Sequence, residues 1–86
     1  MTPEQLVQLA QEFTGAHPAR IRNFTALVAA AAASQAKIDG IPVHGTNSQR
    51  IAALRDTLVA LKPLSAHNTE FAQYCARVLA SLLADR

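Results

Sequence analysis

Pro63 constrains this chain's fold more than any other residue. It lies between two amphipathic segments, and proline pushes the residue before it out of the α region, so a helix must stop there. The segment before it is capped by Thr46, with Gln49 three residues on and Ile51, Leu54, Leu58 and Leu61 at helical spacing. The segment after it begins near Ser65–Asn68 and carries Phe71, Cys75, Val78 and Leu82 on one side. Two helices joined through Lys62-Pro63-Leu64-Ser65-Ala66-His67-Asn68 are therefore predicted.

The first half reads in the same way. Thr2 caps a helix with Pro3 at its first position, and Gln5 completes a capping box. Leu6, Leu9, Ala10 and Phe13 form its apolar stripe, Gly15 is its expected stop, and Pro18 lies beyond. Asn23 caps a second helix expected to run to about Ala36, with Phe24, Leu27, Val28 and Ala31 inward. Its Ala29–Ala33 run lets another backbone come close. Residues 37–46 then break the helical period at Gly40, Pro42 and Gly45, among the extended-chain residues Ile38, Ile41 and Val43. The expected fold is all-α: one domain over residues 1–86, a small bundle of about four helices.

Half of the 86 residues are hydrophobic and only 16% are charged, which is apolar for so small a surface. A partner or a second copy is expected to cover part of it, most simply as a homodimer. The net charge of +2 is spread along the chain, which disfavours nucleic acid as a partner. One cysteine excludes an internal disulfide framework, no apolar run approaches membrane-span length, and no signal peptide is visible. A cytoplasmic protein is the expectation.

The chemistry-bearing residues are sparse. His17, His44 and His67 lack metal-ligand spacing and read as surface histidines, with no metal site expected. Cys75 shares a helix face with Phe71 and Val78, so it reads as a buried thiol rather than a nucleophile. Ser65 and Asn68 suit helix caps better than anion ligands. The Gly40 to Gly45-Thr46 spacing lacks the lysine of a phosphate-binding loop. A helix-turn-helix drawn through Leu54–Phe71 would present too few donors on its outer face.

Order and spacing along the chain resemble the Fic and death-on-curing (Doc) family. That family's motif, H-P-F-x-D/E-G-N-[KG]-R, opens a helix, and Pro63 and Asn68 fall on its proline and asparagine, with Leu64 at the aromatic. Thr2–Glu12 is similar to the opening T-x-E-Q-L-L-x-L-x-x-E of Doc-type sequences. Phe24–Gln35 follows their short second helix in spacing and size. Asp39, Gly40, Thr46, Ala52, Ala53, Leu54 and Leu58 fall in register with the segment before the motif.

The resemblance implies a helical fold that transfers AMP or phosphate from ATP to a protein hydroxyl. That reaction needs a base, a magnesium carboxylate, and backbone amides around phosphate. Here Lys62 stands at the base position, Ala66 at the metal carboxylate and His67 at the glycine, while Thr69 and Glu70 replace the basic phosphate contact. A lysine base would need its pKa lowered by about three units, which burial could supply but neighbouring ATP phosphates would oppose. No catalytic residues, cofactor or metal are therefore expected; Lys62, Pro63, Ala66, His67 and Asn68 form a vestigial motif. The family's flap corresponds to Asp39–Gly45, making Asp39, Gly40, Ile41 and Val43 the peptide-binding candidates. Family members extend past the helix after the motif, so an uncovered face favouring self-association is expected.

The function this implies is that of a degenerate toxin–antitoxin-type family member working by protein–protein contact, with an antitoxin or target protein as partner. The competing expectation is a divergent transferase using ATP and magnesium, in which Lys62 contacts phosphate and His67 is the base beside Asn68. An unrelated helical interaction module is the third.

Overall fold

A computed structural model describes residues 1–35 and 45–84, together with the backbone of 37–38 and 41–42. It is an all-α bundle of helices α1 (Pro3–Ala16), α2 (Phe24–Ser34), α3 (Asn47–Leu61) and α4 (Asn68–Ala84). Between α2 and α3, strands β1 (Lys37–Ile38) and β2 (Ile41–Pro42) pair antiparallel, Ile38 opposite Ile41.

The helix starts form as their side chains dictate. Thr2 and Thr46 each accept the N–H of a glutamine three residues on, at 3.1 Å, and each glutamine side chain returns a bond to the cap. Asn23 accepts from Ala26 N at 3.1 Å. The helix ends differ from expectation. α1 continues through Gly15 to Ala16, because His17, extended ahead of Pro18, takes the cap. α2 ends at Ser34 with Gln35 as cap, and Ala36 lies outside the described residues.

The core is Leu6, Ala10 and Phe13 of α1, Leu27, Ala30 and Ala31 of α2, Leu54 and Leu58 of α3, Leu64, and Phe71, Ala72, Cys75 and Leu79 of α4. Large residues meet small ones across it, and full burial of each Leu or Phe contributes about 1.5–3 kcal/mol. The one buried polar side chain among the described residues, Ser34, is satisfied by donating to Ala31 O at 2.8 Å.

Three helix faces depart from the predicted ones. On α2 the inner face is Ala26, Leu27, Ala30, Ala31 and Ser34, while Phe24 and Val28 lie 56% and 48% exposed. Alanine on every side leaves the apolar stripe without a phase, and close approach selects the small residues. On α4 the stripe runs Phe71, Ala72, Cys75, Ala76 and Leu79, leaving Leu82 exposed and Val78 half-buried. On α3, likewise, Leu61 is exposed and only Leu54 and Leu58 are fully buried.

Candidate functional site

The turn from α3 to α4 is built as a piece of sheet. Lys62 caps α3 in the left-handed region (φ 50, ψ 67) and donates its N–H to Leu58 O at 3.1 Å. The chain then runs extended, and Leu64 pairs antiparallel with Ile21. Arg22 N donates to Pro63 O at 2.7 Å, Asn23 N to the same oxygen at 3.1 Å, and Ser65 N to Arg20 O at 2.8 Å. In a pair flanked by such bonds, the N–H and C=O of the central residue point to the other edge. There the Asn68 carboxamide meets both groups of Leu64: Oδ1 accepts Leu64 N at 2.9 Å, and Nδ2 donates to Leu64 O at 3.0 Å. Asn68 thus acts as a one-residue third strand.

This changes the roles expected of two residues. Asn68 is the first residue of α4 and reaches back to Leu64 instead of capping forward. Ser65 Oγ accepts the Arg20 N–H at 2.9 Å, which ties the turn to the segment before α2. Local side-chain bonds to the backbone compete with capping, and here they win.

His67 precedes α4 with a positive φ of 61, a conformation glycine takes freely and other residues take at a cost of about 1–2 kcal/mol. Its carbonyl accepts Phe71 N at 2.9 Å, and its Nδ1 lies 3.8 Å from Glu70 Oε2. The ring sits with its centroid 6.0 Å from that of His17, a residue 50 positions away with no local sequence signal linking the two. His17 stacks on Phe13 at 4.0 Å with the rings 9° from parallel. Its Nδ1 is 3.0 Å from Phe13 O, and because a carbonyl only accepts, Nδ1 carries a proton in this contact. Beside it, Glu12, Phe13, His17, Glu70, Tyr74 and Arg77 line an open cleft of about 310 Å³ between α1 and α4.

The motif positions fit ATP chemistry poorly. Lys62 is exposed, so the burial that a lysine base needs is missing. Ala66 offers a methyl group where magnesium wants oxygen. Glu70 puts a carboxylate in the first turn of α4, the place where a helix N-terminus would otherwise attract an anion. Among the described residues, no group of three His, Cys, Asp or Glu is arranged to hold a metal ion. Cys75 is buried, and that burial pushes its thiol up to about 12, far from a reactive thiolate. Of the flap candidates, Asp39, Gly40 and Val43 lie outside the described residues, and Ile41 stands in β2.

No family model matches the chain, and neither does any curated protein or solved structure. No described helix is long and apolar enough to cross a membrane.

Proposed function

We propose that the chain is a catalytically degenerate relative of the Fic/Doc proteins that acts through contact with other proteins. The observation carrying this reading is the use made of Asn68. In a nucleotide site an asparagine at a helix start would direct its amide at the ligand, but here that amide is held by Leu64. Ala66 and Glu70 support the same reading, the first by lacking a metal ligand and the second by opposing polyphosphate. The left-handed His67, where the family motif has glycine, is in keeping with the proposed register. A cytoplasmic protein of toxin–antitoxin type, with an antitoxin or target as partner, belongs to this proposal.

The test is a transfer assay. The purified chain is incubated with magnesium and ATP labelled at the α or the γ phosphate, in lysate of its own host. No labelled protein is expected, with the fold verified by circular dichroism. Label that disappears in Lys62→Ala or His67→Ala would establish the divergent transferase instead, and the labelled phosphate would tell AMP transfer from phosphoryl transfer.

A further inference from the structure

The outer face of α2 is the part of the surface that the turn chemistry leaves unused. The helix contains no charged residue over its whole length, Phe24–Ser34. Ala26, Leu27, Ala30, Ala31 and Ser34 serve the core, while Phe24, Val28 and Ala32 form a ridge on the solvent side at intervals of four. Phe24 and Val28 are 56% and 48% exposed, more than the exposed large apolar residues of α3 and α4. We infer that this ridge docks against the same ridge of a second copy, antiparallel about a two-fold axis through Val28.

The register follows from the sequence numbers. A two-fold axis at Val28 sets Val28 against its own counterpart and Phe24 against the partner's Ala32, so each large ring meets a small residue. A parallel arrangement would set ring against ring and methyl against methyl, leaving voids. The axis also places residue 22 opposite residue 34. Arg22 is exposed and has no ion pair among the described residues. It would lie at the C-terminal end of the partner's α2, whose last turn has no basic residue of its own. A cation there complements the negative end of the helix, and the symmetry makes the contact twice.

Charge is also what selects a copy over a foreign protein. The other three helices carry Glu4 and Glu12, Arg50, Arg55 and Asp56, or Glu70 and Arg77, and a face bearing such groups must strip water from charge when packed on itself. α2 alone meets itself without that penalty, yet offers a foreign partner no charge to recognise. One short helix buries less than the roughly 800 Å² per partner of a standard interface, so the dimer is reversible rather than obligate. The inference deepens the contact-protein reading by naming one partner, and takes from it only that the chain works by contact.

Sedimentation equilibrium from micromolar to millimolar chain tests it, with cross-linking as the second measurement. The expected result is a mass rising from monomer to dimer. Val28→Glu should abolish the rise, and Arg22→Glu should weaken association roughly tenfold, with both variants retaining their helical circular dichroism. Under mild oxidation Val28→Cys should cross-link to itself. Phe24→Cys and Ala32→Cys should each remain single but cross-link when mixed, since Cys75 is buried. A monomer throughout, a dimer indifferent to Val28→Glu, or Phe24→Cys pairing with itself would overturn the proposal. So would a monomer that binds anionic lipid vesicles through Phe24. None of these readouts involves ATP, so failure here leaves the degenerate reading standing, and label in the transfer assay leaves the dimer standing.

Discussion

Asn68 holds Leu64 by both of its backbone polar groups, at 2.9 Å and 3.0 Å, and so closes the turn between α3 and α4. Leu64 is itself buried and bridged to Ile21, so the same bond pair anchors the segment leading into α2. Removing the amide leaves a donor and an acceptor in a half-buried place with little water to replace it. Asn68→Ala should therefore cost about 2–3 kcal/mol, seen as a lower urea midpoint at unchanged slope. Asn68→Asp should recover only part of the loss, because one carboxylate oxygen would face the Leu64 carbonyl. An alanine variant as stable as the parent would show the turn to be held by packing alone.

How far the sequence revealed this molecule depends on whether the signal was local. The caps Thr2, Asn23 and Thr46 and the stop at Pro63 act over three or four residues, and all are legible. The inward face of α2 was not, because alanine fits either side and the choice is made by neighbouring helices. The Ile21–Leu64 bridge and the His17–His67 approach span more than forty positions, and they follow from tertiary packing that no spacing rule encodes. Asn68 was legible as a helix-start residue but not as the partner of Leu64. That pairing requires Leu64 to be already extended against Ile21.

Lys62 is a second place where the turn opposes local preference. It holds φ at 50 in front of a proline, a left-handed conformation that a residue with a Cβ adopts at some cost. Its side chain is exposed, so little packing is lost by removing it. Lys62→Gly should raise stability by up to about 1 kcal/mol, the relief of strain being partly offset by greater freedom of the unfolded chain. Thermal melts of the two proteins side by side decide the matter. A drop in Tm would mean that the lysine makes a stabilising contact in solution.

The alanines of α2 set how closely the helices approach. Ala30 and Ala31 are fully buried, and α2 packs chiefly on α3. A larger residue there would force helices apart in an interior already filled to crystal-like density. Ala31→Leu should destabilise by about 1–3 kcal/mol or more, whereas Ala29→Leu on the exposed side should change monomer stability by less than about 0.5 kcal/mol. Urea denaturation at concentrations where the chain is monomeric separates the two. Equal effects would refute the assigned phase of the helix.

Cys75 gives the fold a pH signature. Burial pushes its thiol from 9.0 up to about 12, so above pH 9 the unfolded chain loses a proton that the folded chain keeps. Its contribution is therefore intact below about pH 9 and lost as pH rises toward about 12, by up to roughly 4 kcal/mol in all. Between about pH 8 and about pH 10.5 the loss assignable to Cys75 should be about 2 kcal/mol. Other alkaline groups titrate as well, so the informative quantity is the difference in slope between the parent and Cys75→Ala. The variant should start slightly less stable, from the small cavity, and decline less steeply. A disulfide-exchange reagent should label the parent only after urea unfolds it. Equal slopes, or rapid labelling of the folded chain, would place Cys75 within reach of solvent.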